Sequence, residues 1–205
     1  MMVRQIKRLL THSLLVGLAL LPISACTQER PVAPPVLPLG VDKAATPKIV
    51  VSNVSLAVDG RVVFIRKSNQ QDWLSILGQA REDDSLFNWD KWGLQLLVTE
   101  RDGKPWINDF SIYVRRSKHW ESFAAVPGSS FLHERPENTF PGYLEIDGVP
   151  IGPNMTLTEI QQWRKFLGLV PLEPSMGYYR TGEDGKWAQH YFFEDDDKLT
   201  YVKFM

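Results

Sequence analysis

Residues 54–78 and 142–168 read as two copies of one pattern, so the fold has to be built from a repeated unit. Each copy has an apolar residue, Asp-Gly, an apolar stretch, a polar turn, and then Trp-x-x-x-Leu-Gly. Asp59-Gly60 aligns with Asp147-Gly148, Trp73 with Trp163, and Leu77-Gly78 with Leu167-Gly168. The Asp-to-Trp spacing is 14 in the first copy and 16 in the second. Further on, Asp102-Gly103-Lys104 with Trp106 is echoed by Asp184-Gly185-Lys186 with Trp187, each ahead of an aromatic-rich run. Any one of these agreements can arise by chance. All of them in order cannot.

Each copy gives the same local expectation. Val54 to Val58 and Tyr143 to Ile146 read as strands, and the Asp-Gly that follows is a hairpin turn signal. A helix comes next. In the second copy Thr156 or Thr158 can cap it, and Ile160, Trp163, Phe166 and Leu167 fall on one face. Gly78 and Gly168 sit where a helix end wants a residue with positive φ. Strands are expected at Trp92 to Thr99 and Trp106 to Arg115, then at Tyr178 to Arg180, Trp187 to Phe193 and Leu199 to Phe204. The expected class is α+β: two tandem repeats, 49–115 and 142–205, each a helix packed on its own small, mainly antiparallel sheet. The matched tryptophans Trp73, Trp163, Trp106 and Trp187 are expected in the core.

The N-terminus is read differently. Arg4, Lys7 and Arg8 precede an apolar stretch from Leu9 to Leu21, and Ile23-Ser24-Ala25-Cys26 follows. This is the layout of a secretory signal, and the stretch is short for a span of roughly 20 residues. Ile-Ser-Ala-Cys resembles the bacterial lipobox, which implies removal of residues 1–25, lipidation of Cys26 and anchoring to a membrane. Thr27 after the cysteine points to the outer membrane. One acyl chain at about 0.8 kcal/mol per buried CH₂ holds only marginally; the resemblance implies three chains.

Residues 1–25 hold three of the 23 Lys+Arg and none of the 24 Asp+Glu, so the mature chain has 20 against 24, a net charge of −4. With no basic cluster, nucleic acid is not an expected partner. Cys26 is the one cysteine, so disulfides, a cysteine nucleophile and thiolate metal sites are excluded from the mature chain. Residues 26–48 contain five of the 14 prolines and no apolar periodicity; they are read as a lipidated cysteine and a proline-rich tether.

Reaction chemistry has no recognisable constellation. His119, His133 and His190 lack partners at metal or triad spacing. His190 is expected as an exposed strand residue. The run Glu194 to Asp197 lacks the spacing of a calcium loop and reads as a solvated turn. No Gly-x-Ser-x-Gly elbow surrounds Ser129 or Ser130. No cofactor and no metal are expected. The segment 116–141 is the one long stretch without a second copy, and it carries Trp120, Phe123, Phe131 and Phe140 among charges. Two accounts stay open for these four: anchors for a partner protein, or packing over the groove between copies.

Two resemblances complete the reading. Thr-Leu-Thr-Glu-Ile to Leu-Gly at 156–168 resembles the helix of the outer-membrane-assembly lipoproteins of the SmpA/OmlA (BamE) kind, and the tandem units resemble those of the β-lactamase inhibitor proteins. Trp89-Asp90-x-x-Gly93, with the Asp-Gly strand and the Trp-x-x-x-Leu-Gly helix, is similar to a set of uncharacterised proteobacterial proteins over residues 49–115. Neither brings catalytic residues. The expected function is a membrane-anchored, periplasm-facing protein-binding module, whose partner is an envelope component or a toxin. The alternative is a hydrolase of cell-wall or lipid substrates.

Overall fold

The computed structural model describes residues 33–52, 55–65, 67–118, 135–181 and 188–205. After strand β1 (Lys48–Val51), two stretches of chain follow the same order of elements. The first is a hairpin of β2 (Ser55–Val58) and β3 (Arg61–Phe64), helix α1 (Gln70–Leu77), and four strands: β4 (Arg81–Asp83), β5 (Leu86–Trp89), β6 (Leu94–Arg101) and β7 (Lys104–Tyr113). The second is β8 (Tyr143–Ile146) with β9 (Val149–Ile151), helix α2 (Leu157–Phe166), and β10 (Glu173–Ser175), β11 (Tyr178–Thr181), β12 (Gln189–Phe193) and β13 (Leu199–Phe204).

Local chemistry makes each element. In both hairpins the two turn residues have positive φ, 47° and 81° at Asp59-Gly60 and 50° and 83° at Asp147-Gly148. This is the primed turn whose twist matches the flanking strands. Both helices open on a capping box. Asn69 and Asp72 exchange side-chain-to-main-chain bonds of 2.8 and 3.1 Å, and Thr156 and Glu159 do the same at 2.7 and 3.3 Å. At eight and ten residues neither helix is stable alone. Trp73 and Leu77 pin α1, and Ile160 and Trp163 pin α2, to a common core.

The expected fold class is overturned: the chain is mostly β, and neither copy owns a sheet. One sheet has the order β3-β2-β1-β8-β9, antiparallel except for the central parallel pair β1 and β8. The other has the order β10-β11-β12-β13-β7-β6-β5-β4 and is antiparallel throughout. The copies join edge to edge in both. Ile112 pairs with Val202 and Phe110 with Phe204 across β7 and β13. The reason is burial: from Asp109 to Tyr113 every residue of β7 is buried, so that strand belongs in the middle of a sheet. Four strands alone would have left it as an edge.

Other expectations are also corrected. Trp106 is 45% exposed, with the Arg101 guanidinium 5.4 Å from its ring centroid, because it stands near the solvent end of a long hairpin. Phe166 and Leu167 are likewise about two-fifths exposed, where α2 runs out beyond the sheet. The tether ends before residue 48. Pro38 and Pro47 are buried, and the Pro47 carbonyl accepts the Tyr143 N–H at 3.0 Å. Val41 packs on Gly152, whose missing side chain leaves room for it.

Candidate functional site

A sheet that is not closed has edges, and exposed strand edges invite pairing unless they are guarded. The two sheets end in four strands: β4, β10, β9 and β3. Strand β4 is Arg81-Glu82-Asp83, charged at every position. Strands β9 and β10 carry Pro150 and Pro174 at their centres. Each faces away from its neighbour: two-residue turns make Ile146 with Val149 and Ser175 with Tyr178 the hydrogen-bonded pairs, so the next residue, the proline, points to the free side. Proline has no N–H to offer there. Residues 38–41 further cover the β9 end, against Gly152 and Pro153.

Strand β3 has no proline, and Arg61 at its start is its one charged residue. It reads Arg61-Val62-Val63-Phe64. Ser52 and Ser55 exchange both main-chain bonds, and the Asp59 N–H donates to Lys48, which fixes the alternation along β1 and β2. It follows that Arg61 and Val63 bond to β2 while Val62 and Phe64 present their main chain outward. The Phe64 carbonyl already accepts from Lys67 and Ser68, both at 2.9 Å. The Val62 N–H and C=O and the Phe64 N–H lack a strand partner among the described residues.

The side chains agree with the main chain. Val63 is buried, but Val62 is 51% and Phe64 56% exposed on the other face of the sheet. Between β3 and α1 lies an open groove of about 290 Å³ lined in part by Val62, Phe64, Lys67, Asp72, Ser75 and Ile76. Such a groove is small for an organic ligand but accommodates one or two side chains of a peptide. The Arg61 guanidinium reaches across to the Ile76 carbonyl at 2.9 Å and ties the strand to the helix.

A family described as a domain of unknown function (DUF7738) matches residues 48–168. The chain belongs to that family. The DUF7738 match starts with β1 and ends just past α2, so it takes in all five strands of the smaller sheet and the whole β3 edge. No curated protein and no solved structure matches the chain.

Of the residues singled out from the sequence, Cys26, Trp120, Phe123 and Phe131 lie outside the described residues, as do His119, His133 and Trp187. Phe140 is 8% exposed and part of the core; its N–H donates to the Tyr113 carbonyl at 2.6 Å. Trp73 is fully buried and Trp163 is 8% exposed. Gly78 and Gly168 follow their helices with φ of 81° and 68°.

Titratable groups are placed structurally. His190 stands on β12, as expected, but is buried: its ring stacks on Tyr178 at 4.4 Å, and burial with Lys203 and Arg180 nearby lowers its pKa. The acidic turn is not simply solvated. Asp196 takes a two-pronged bond from Arg115 at 2.8 and 2.7 Å, which holds its carboxyl down at about 2, and Glu194 lies 3.5 Å from the same guanidinium. Lys203 pairs with buried Asp109 at 2.9 Å. Among the described residues no three His, Cys, Asp or Glu side chains converge as metal ligands. No helix among them is long and apolar enough to cross a membrane.

Sequence reasoning looked for aromatic anchors on the linking segment and passed over β3. The signal was nonetheless present. The second residue after Asp-Gly is valine at 62 and proline at 150.

Proposed function

We propose that this chain is a lipid-anchored, periplasm-facing lipoprotein that acts as a non-enzymatic protein-binding module, with the β3 edge as its contact. The Ile-Ser-Ala-Cys sequence before Thr27 supports the anchor, and the mild negative charge of the mature chain supports a protein partner over nucleic acid. The observation that carries the reading is the contrast among edges. Three are closed by charge or proline, and the fourth displays two half-exposed apolar side chains and main-chain groups that lack a strand partner among the described residues. A folded protein left with such an edge is prone to aggregate unless something occupies it.

The test is photo-crosslinking in living cells with the full chain. A photoreactive residue at position 64 should give one discrete adduct. The same residue at Met176, which is 94% exposed on the β10–β11 turn, should not. No adduct from position 64, or the same adducts from both positions, would overturn the reading.

A further inference from the structure

We infer that the segment leading into the fold docks on the lipid surface to which the chain is anchored, with Val36 and Leu39 as the side chains that enter it. The inference rests on the proposed lipid anchor. It adds a second membrane contact and an orientation for the β3 edge.

The segment holds apolar side chains out of the fold. Pro38 is buried and Val41 packs on Gly152, so both ends of the turn Pro38-Leu39-Gly40-Val41 are fixed to the end of β9. The Val41 N–H closes the turn on the Pro38 carbonyl at 3.1 Å, and Gly40 takes a φ of 85°, as the third residue of a type II turn does. Leu39 is left at the tip, 84% exposed, and Val36 just before the turn is 91% exposed. From Ala33 to Val41 no side chain is charged or can form a hydrogen bond. Single exposed apolar residues are ordinary, but a pinned turn that presents them on a charge-free stretch has the character of a contact.

Chain length selects the occupant. Val36 stands ten residues after Cys26, and that length of chain spans at most about 36 Å. The lipid surface is therefore within reach of Val36 and Leu39 in every anchored copy, at the high effective concentration of a tethered ligand. A protein partner has to arrive from solution. The nearest charges in the chain, Asp42 and Lys43, cancel, so they favour neither an acidic nor a basic partner. The contact also suits the proposed binding role. Residues 38–41 lie at β9, and β3 is the other end of the same sheet, four strand spacings or roughly 19 Å away. A body seated on Val36 and Leu39 holds the β3 edge away from the lipid, where a partner can reach it.

The experiment uses the full lipidated chain in phosphatidylcholine vesicles, with a bimane on one introduced cysteine at a time; Cys26, once acylated, takes no label. Lipid spin-labelled at its headgroup should quench bimane at Leu39→Cys about threefold more than at Phe64→Cys or Met176→Cys, as for side chains about 5–10 Å into the headgroup boundary. A label at Val36→Cys separates entry into the lipid from nearness to it, because adding Leu39→Ser leaves the tether unchanged. Its quenching should then fall by about half. Leu39→Cys quenched no more than Met176→Cys, or Val36→Cys indifferent to Leu39→Ser, overturns the inference. An acylated chain with either result keeps the anchor and the β3 contact. A chain that carries no acyl group loses the anchor and the inference together, whatever position 64 crosslinks.

Discussion

Trp73→Ala probes whether the two copies fold as one body. The Trp73 indole is fully buried. Its ring lies 4.7 Å from Phe110 of β7 and 6.5 Å from Trp89, and Phe110 in turn stacks 6.0 Å from Phe204 of β13. This line of rings runs from the first copy into the second through the shared sheet. Truncation removes the ring and leaves a cavity that the strands around it cannot close, so the cost should reach the upper half of the about 3–5 kcal/mol range for large buried aromatics. Loss of the 2.8 Å bond from the indole N–H to Ser68 adds little, because Ser68 is half-buried and its hydroxyl can turn to water. For a folded body of this size that lowers Tm by roughly 8–20 °C. Trp163, 8% exposed and edge-on to Phe166, should cost nearer the lower bound of about 3 kcal/mol. The assay is urea unfolding followed by fluorescence, circular dichroism and hydrogen exchange. Both variants should keep a single transition, and the amides of Ile112 and Val202 should lose protection together. Two transitions, or a Trp73 variant that unfolds its own copy while β12 and β13 stay protected, would refute the argument that the sheets bind the copies into one unit.

The remaining predictions are simpler. Cys26→Ala should abolish acyl labelling and release the chain from the membrane fraction; a variant that still partitions with membranes as strongly as the native chain refutes the anchor. Asp196→Asn should remove an acid-dependent part of stability. Its carboxyl is lowered from 3.8 to about 2 on folding, so the Arg115 contact stabilises fully above pH 4 and is lost as the pH falls toward 2. Tm measured across that window should flatten in the variant, and unchanged steepness counts against the pair.

What the sequence made legible was local. The Asp-Gly hairpins, the Thr156 cap and the burial of Trp73 and Trp163 each depend on residues within a few positions of one another, and each stands in the structure. Strand β1 is half legible: its antiparallel pairing with β2 is local, but its other partner, β8, lies roughly a hundred residues on, and no periodicity announces a parallel pair. The same distance hid the joining of β7 to β13. Similarity between two copies shows that they resemble each other; it does not say whether they pair. Trp106 shows the converse error. Matched position does not imply burial: its hairpin runs out into solvent, where the ring is 45% exposed beside Arg101. The difference between Val62 and Pro150 could be read from the aligned copies, yet it means nothing until both strands are known to be edges.

That difference has a consequence for assembly. A sheet with two open ends on one molecule can pair end to end with further molecules, and such heterologous contacts propagate into filaments when they do not close. In this chain β3 and β9 are the two ends of the same sheet. Pro150 removes the N–H at the centre of β9, and Pro38 to Val41 occupy the space beyond it, so that end cannot receive the β3 of a neighbour. Divergence of the copies has therefore left one edge of this sheet open among the described residues and disabled its pairing with the far end of the same sheet. The asymmetry is held by two separate devices, one in a strand and one in the segment that leads into the fold.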